Sequence, residues 1–391
     1  MEKQKNIPVL RFPEFEEIWE RKKLGELLEF KNGINASKEQ YGHGVKFINV
    51  LDILNNDFIT YDSILGCVDV DNETVNKFPV KYGDILFQRS SETREEVGSA
   101  CVYLDNKKTA TFGGFVIRGR KIGEYDPVFL NKLLKTDKAR DEITSKSGGS
   151  TRYNVGQETL SSVALLFPTL SEQLKIATFL TAVDDKLTQI KQKKSLLEQY
   201  KKGIMQKIFS QEIRFKDDKG KEFPGWKKKK LGDVATKKSS NISANKIEDN
   251  YGEYIVYGAA GILKKVDFFK EIDAYISIIK DGAGVGRIFY CEGKTSVLGT
   301  LDIIKPKSEI STYFLYCLLS NIDFIKFITG STIPHIYFKD YSQVFCNIPC
   351  LAEQNLIASF LTAIDEKINH CQLQIEKTVL YKKGLLQKMF C

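Results

Sequence analysis

The stretch Pro168–Ser210 (PTLSEQLKIATFLTAVDDKLTQIKQKKSLLEQYKKGIMQKIFS) aligns without a gap on Pro349–Cys391 (PCLAEQNLIASFLTAIDEKINHCQLQIEKTVLYKKGLLQKMFC). The offset is 181, with 19 identities in 43 positions. Whatever the first segment folds into, the second must fold into as well, so the chain is built on an internal repeat. The same offset pairs Gly149, Ser150 and Thr151 with Gly330, Ser331 and Thr332. A second match, WERKKLGE from Trp19 on WKKKKLGD from Trp226, has an offset of 207, so the segment between the markers is 26 residues longer in the first copy. Residues 25–149 and 232–330 show little resemblance to each other. Each unit is therefore a shared frame around a divergent insert.

The frame segments read as long helices. In the first, Ile176, Leu180, Val183, Leu187, Ile190, Lys194, Leu197, Lys201 and Ile204 are spaced alternately by four and three. In the second, Ile357, Leu361, Ile364, Ile368, Cys371, Ile375, Thr378, Lys382 and Leu385 repeat the pattern. That spacing is a coiled-coil seam with a few polar breaks. Both segments start after a proline, and Thr169 with Glu172 has the spacing of a capping box. Two amphipathic helices in separate cores would share the periodicity. About 37 residues each is far beyond the usual globular helix, which favours two helices with matching seams covering each other.

The inserts carry short β-like runs separated by Gly, Asn and Asp. In the first these are Val45–Ile53, Asp84–Gln88, Ser99–Tyr103, Thr111–Ile117 and Val163–Phe167. In the second they are Tyr254–Tyr257, Ala274–Ile279, Arg287–Cys291 and Ser296–Ile304, with Phe314–Asn321 more helical. The leader from Leu10-Arg11-Phe12 resembles Ile213-Arg214-Phe215, which follows the first long helix directly. It would supply what is missing after the second helix, giving a cyclic pseudo-two-fold molecule with residues 1–25 near residues 385–391.

Composition excludes several classes. Met1–Leu10 is polar, so no secretory leader is expected, and no run of 18 uncharged apolar residues could span a membrane. A cytoplasmic protein is the expectation. The eight cysteines are scattered without C-x-x-C pairs, and with only His43, His335 and His370 no zinc constellation is plausible. The formal net charge of +8 points weakly towards nucleic acid and would also suit acidic partners. There is no phosphate-binding G-x-x-x-x-G-K-[ST] loop and no Asn/Asp-Pro-Pro-aromatic sequence. Asp184, Asp185, Asp365 and Glu366 fall at corresponding helix positions and read as charged outer positions of a coiled coil. No catalytic or metal residue is expected.

Two variable inserts, each closed by a helix reading F-L-T-A-[VI]-D-x-K and Y-K-K-G-x-x-Q-K-x-F, resemble the specificity subunits of Type I restriction–modification enzymes. The resemblance covers essentially the whole chain. Gly252–Lys265 (GEYIVYGAAGILKK) and Lys280–Arg287 (KDGAGVGR) resemble segments of target recognition domains. The resemblance implies an α+β fold: two mixed α/β target recognition domains joined by two long antiparallel coiled-coil helices in a pseudo-two-fold cyclic repeat. The divisions would be a leader 1–25, a first domain 26–167, a helix 168–210, a leader repeat or linker 211–232, a second domain 233–348 and a helix 349–391. It also implies that each domain reads one half of a split double-stranded DNA site. The helices would set the gap and dock two methyltransferase subunits, which recruit translocase–nuclease subunits. No cofactor is expected on this chain; S-adenosylmethionine and ATP with Mg are implied on the partners. A 37-residue helix is about 55 Å long, which spans roughly 16 base pairs of duplex.

Base discrimination needs donors and acceptors on a firm backbone. In the first domain, Gln88, Arg89, Ser90 and Arg94 follow an apolar strand and offer such groups; a solvated hairpin loop is the competing reading. Ser150, Thr151, Arg152 and Tyr153 combine hydroxyls, a guanidinium and an aromatic after Gly149, and Ser331, Thr332 and His335 occupy the same place in the second unit. A helix-ending glycine turn competes there. Tyr257, beside Gly258, completes the candidates with Lys280 and Arg287, read as the ends of a flexible hairpin that reaches phosphates. The run Lys227–Lys230 reads as a solvated linker. A protein-binding coiled-coil scaffold that does not touch DNA directly is the alternative, distinguished by its insensitivity to salt.

Overall fold

The computed structural model describes residues 6–247 and 252–391; the first five residues of the expected leader and residues 248–251 of the second insert lie outside them. The chain divides into two units, Met1–Ile190 with Gln374–Cys391, and Lys191–Leu373.

In the first unit, a four-stranded antiparallel sheet runs in the order Leu28–Asn32, Val116–Lys121, Ile85–Gln88, Ala100–Val102. Beside it lies a three-stranded sheet, Cys67–Val68, Tyr41–Ile48, Thr111–Phe112, in which the last pair is parallel. In the second unit the four strands are Ala235–Ser239, Leu301–Pro306, Tyr275–Ile279 and Ile288–Cys291, and the three are Gly261–Val266, Tyr254–Gly258 and Ser296–Val297, again with the last pair parallel. The two inserts share almost no sequence yet have one topology. The central strands Ile85–Gln88 and Tyr275–Ile279 are buried on both faces, which asks only for a short apolar run and not for particular residues, so strand identity survives where residue identity does not.

The frame explains why both units close in the same way. The central helix spans Leu170–Phe209 and the C-terminal helix Leu351–Lys388, 40 and 38 residues. In the first unit Ile176, Leu180, Leu385 and Phe390 join one core with the leader residue Trp19 and the sheet residues Ile85 and Phe87. In the second, Ile208, Ile357, Leu361 and Ile364 join Leu231, Ile276 and Phe314. Each such side chain contributes about 1.5–3 kcal/mol on full burial.

The repeat extends to single hydrogen bonds. The Gln173 side chain accepts from the Asp126 amide at 3.0 Å and donates to the Pro168 carbonyl at 2.9 Å; Gln354 does the same with Ser311 and Pro349, both at 3.0 Å. Asp126 and Ser311 are themselves N-caps of the insert helices Pro127–Leu133 and Thr312–Ser320. The Leu10 amide donates to the Lys388 carbonyl at 2.8 Å, and its counterpart Ile213 donates to Lys207 at 3.2 Å. Trp19 lies edge-on to Phe390 at 6.3 Å, as Trp226 does to Phe209 at 6.3 Å. A leader that follows one helix in sequence thus makes the contacts that the other leader makes with the far end of the chain.

Two of the polar breaks in the seam, Lys382 and Lys201, are ion pairs across it. Lys382 reaches Asp184 at 2.5 Å within the first unit, and Lys201 reaches Asp365 at 2.6 Å within the second. In the second unit Lys194 meets Gln372 and Lys201 meets Asp365, so seven residues forward on one helix match seven back on the other. That register is antiparallel. Asp184 also takes Lys132 from the insert, and Asp365 takes the Tyr313 hydroxyl. Burial and the bond to Asp365 push the Tyr313 hydroxyl well above its usual range. Asp57, where burial opposes ionisation, is nonetheless held below the ordinary carboxylate range by Lys382, Lys135 and Lys132.

Six expectations need correction. Asp184 and Asp365 are not outer positions: both are half-buried and paired across the seam. Val45–Ile53 is not one strand, because Asn49 ends it by capping a short helix, Val50–Leu54, through a capping box with Asp52. Thr111–Ile117 and Ser296–Ile304 are each broken by a turn, at 113–115 and 298–300. Lys227–Lys230 is a strand, paired antiparallel with Phe345–Ile348; its side chains face solvent while Lys228 and Lys230 lie over the Phe345 ring. The Thr169 hydroxyl accepts from the Glu172 amide at 3.4 Å, but the Glu172 carboxylate holds Arg11 at 2.7–2.8 Å instead of closing the capping box.

Candidate nucleic-acid interface

In the first unit a two-residue ribbon, Ser90–Ser91 paired with Tyr153–Asn154, brings the two candidate segments together. Gly149 leads the turn into it at φ +107, and a Cβ there would lie 2.1 Å from the Arg152 carbonyl oxygen, so glycine is required. The Gly148 and Asn154 backbones exchange two hydrogen bonds of 3.0 and 2.8 Å, which holds Ser150, Thr151 and Arg152 on an exposed tip. Arg89 sits at the root. Its amide donates to the Phe115 carbonyl at 2.9 Å, its carbonyl accepts from Val155 at 3.0 Å, and its exposed guanidinium is 3.3 Å from the Gly114 carbonyl.

Not every candidate faces outward. Gln88 is 3% exposed and its amide nitrogen donates to the Ser90 carbonyl at 3.0 Å, so it supports the ribbon from beneath. Ser90 and Tyr153 are half-buried, Tyr153 packing on the core. Arg94 is exposed and reaches back to the Thr144 carbonyl at 3.3 Å. A brace missed from sequence is Arg140, whose guanidinium donates to the Val97 and Glu95 carbonyls at 2.5 and 2.9 Å. Burial holds its pKa below the usual arginine value.

The second unit repeats the arrangement. Asp281 bridges to His335, which also pairs with Thr329, and the Gly282 amide donates to the Pro334 carbonyl at 2.9 Å. Lys280 takes the place of Arg89: its amide donates to the Thr300 carbonyl at 3.0 Å and its carbonyl accepts from Ile336 at 2.9 Å. Ser331 and Thr332 are exposed on the turn after Gly330, which has φ +88 and no room for a Cβ beside the Ile333 carbonyl at 2.5 Å. The His335 ring stacks edge-on to Tyr337, centroids 4.9 Å apart.

Two readings change here. The hairpin is pinned rather than flexible, since the amides of Gly282, Val285, Gly286 and Arg287 are all bonded. The Lys280 ammonium lies 3.5 Å from the buried carboxylate of Asp302 rather than pointing outward, while Arg287 is exposed. Tyr257 stays apart from the ribbon: it packs on an insert core, and burial pushes its hydroxyl above the usual range. The surface side chains missed from sequence are those of the two strand-breaking turns, Phe115 and Thr300. The glycines at 113, 114 and 299 were the available signal.

Two clamped ribbons of this kind on a duplicated frame define one scaffold with two unlike outward surfaces. The chain belongs to the family of the Type I restriction modification DNA specificity domain, whose profile matches residues 16–199 and 224–379. It is 24% identical to the Type I restriction enzyme MjaIX specificity subunit of Methanocaldococcus jannaschii, over 95% of this chain and 92% of that one. To the MjaVIII specificity subunit of the same organism it is 32% identical over 203 residues, 48% of this chain and 47% of that one. The fold matches the crystal structure of the Type-I restriction-modification system S subunit from M. genitalium with a TM-score of 0.63 at 17% identity, covering 98% of this chain and 99% of that one.

No helix among the described residues is long and apolar enough to cross a membrane. Also among the described residues, no group of three or more His, Cys, Asp or Glu side chains is placed to hold a metal ion.

Proposed function

We propose that the chain is the non-catalytic, DNA-reading subunit of a Type I restriction–modification complex, acting in the cytoplasm. Its two heads, within 26–167 and 233–348, each read one half of a bipartite duplex site. The observation that carries this reading is the repeated backbone clamp. Arg89 and Lys280 are held by the same two hydrogen bonds, in the same topology, beneath ribbon turns that share Gly-Ser-Thr and then diverge, to an exposed Arg152 in the first head and an exposed Ile333 in the second. A fixed backbone with variable side chains is what groove readout requires. Arg89, Arg94, Arg152 and Arg287 supply exposed guanidinium groups for phosphate or guanine contact, with Ser150, Thr151, Ser331 and Thr332 as neutral donors and acceptors.

The chemistry belongs to partners: two methyltransferase subunits using S-adenosylmethionine, and translocase–nuclease subunits using ATP and Mg. Tyr200 and Tyr381 occupy matching frame positions and are 53% and 56% exposed. An aromatic kept outside twice at the same place suits a partner that binds twice.

The paired helices would set the gap between half-sites. Removing seven residues from each helix at matching positions keeps both seams in phase and shortens the pair by about 10 Å. Mapping of modified sites in a host carrying that variant should show both half-site motifs unchanged and the gap shortened by about three base pairs. An unchanged gap would refute the ruler.

A further inference from the structure

The reading heads carry one exposed residue each at a single equivalent backbone position, and the two residues differ. In the first head, the turn 113–115 is anchored by the Gly113 amide to the Ile48 carbonyl at 3.0 Å and closed by the Val116 amide to the Gly113 carbonyl at 2.9 Å. In the second, Leu298 donates to Tyr257 at 2.9 Å and Leu301 to Leu298 at 3.0 Å. At the tip, the carbonyl of Phe115 accepts from Arg89, and that of Thr300 accepts from Lys280. Three matching hydrogen-bond positions in two heads of one topology make Phe115 and Thr300 structural counterparts.

An exposed phenylalanine means little by itself; its seat is what assigns it. Phe115 is 63% exposed, although the buried cluster that includes Phe112 and Val116 begins one residue away on one side and three on the other. The turn beneath it has no slack. A Cβ at Gly114 would lie 1.9 Å from Asn35 Oδ1, and one at Gly33 would lie 2.2 Å from the Gly113 carbonyl. The ring is therefore held out beside Arg89, in the turn that leads into Val116–Lys121, the strand paired with Ile85–Gln88 from which the candidate donors follow. Thr300 is likewise exposed, beside Lys280 and the Asp281–His335 bridge.

Resting on the reading of these heads as DNA readers, we infer that Phe115 is a specificity-determining residue of the first head, contacting the C5-methyl of a thymine in the groove. Thr300 is its counterpart in the second head. Apolar contact with that methyl is how a phenyl ring distinguishes thymine from cytosine without hydrogen bonds. A threonine at the same height offers a shorter reach and a hydroxyl, so the two heads differ in what they accept there.

The test uses the full complex with its methyltransferase partners. Modified-site mapping of the wild type, Phe115→Thr, Phe115→Leu and Thr300→Phe reads both halves of the motif at once. Phe115→Thr is expected to weaken the preference for thymine at one position of one half-site by about fourfold or more, the worth of one buried methyl. Phe115→Leu, which stays apolar, should keep most of it. Thr300→Phe should change one position of the opposite half-site. In binding assays, uracil in place of that thymine should cost the wild type about fourfold and Phe115→Thr almost nothing. Unchanged preferences in Phe115→Thr, or an even loss across all positions, would overturn the inference while leaving the heads as DNA readers. A wild-type complex with no bipartite motif would instead overturn the underlying reading.

Discussion

Replacing Trp19 with alanine is expected to destabilise the first unit by about 3–5 kcal/mol. The indole is 1% exposed and lies edge-on to Phe129 at 6.0 Å and Phe390 at 6.3 Å. It thereby joins the leader, an insert helix and the end of the C-terminal helix. Hydrogen-exchange protection of the first unit's core strands would fall in proportion, while the second unit's would not. A finer comparison separates packing from polarity. Trp226 donates its indole N–H to Glu353 at 3.0 Å, whereas the buried N–H of Trp19 has no partner among the described residues. Tryptophan-to-phenylalanine should therefore cost more at 226 than at 19, by about 1.5–3 kcal/mol for a bond to a charged group. Equal costs would mean that the two leaders are not held as described.

Replacing Glu353 with alanine should be as damaging to the second unit, again about 3–5 kcal/mol. Its carboxylate is fully buried and accepts from the Arg214 guanidinium at 2.7 and 3.1 Å as well as from Trp226. Deleting it leaves a guanidinium and an indole N–H that were arranged around an anion, and the cost of that orphaned pair exceeds the worth of the bonds themselves. Urea denaturation followed by fluorescence should register the loss. Arg214→Met together with Glu353→Leu should recover part of it, because it removes the orphaned guanidinium and leaves only the Trp226 N–H without its acceptor. If the single change costs less than about 1 kcal/mol, the carboxylate is not the anchor described, since a buried charge pair broken on one side costs several times that.

The frame was legible in the sequence because its residues do the same work twice. Glu172 and Glu353, Gln173 and Gln354, Phe179 and Phe360 each make matching contacts, so both copies retain the same letters. The heads were not legible as copies, because a strand buried on both faces asks only for a short apolar run and not for particular residues. Ile85–Gln88 and Tyr275–Ile279 occupy one place in the topology with few residues in common. The most consequential misreading lies at matching points in the two heads. Thr111–Ile117 and Ser296–Ile304 look like unbroken apolar strands, and both turn at their centre to raise the tip residue. Glycines 113, 114 and 299 mark the places, but glycine within an apolar run also fits a bulge, so pattern alone does not decide.

Charge misled for a related reason. Lys227–Lys230 reads as a linker because four consecutive lysines are rare in strands, yet an edge strand with solvent-facing side chains tolerates them and benefits from the charge. Asp184 and Asp365 read as outer positions because a carboxylate at a seam is costly unless paired. Their lysine partners lie on the other long helix, as Lys382 and Lys201 do, or in the insert, as Lys132 does 52 residues before Asp184, and sequence spacing does not reveal such a meeting. Gln88 was chosen for its chemistry, but its place at the end of a wholly buried strand turns its amide inward.

The central claim is that one duplicated frame carries two independent readers. Its most direct measurement exchanges residues 26–148 for the corresponding insert of a relative with a different motif, then maps modified bases genome-wide in the host. One half of the bipartite motif should switch to the donor's, with the other half and the gap between them unchanged. A motif altered in both halves, or unaltered in either, would contradict the claim.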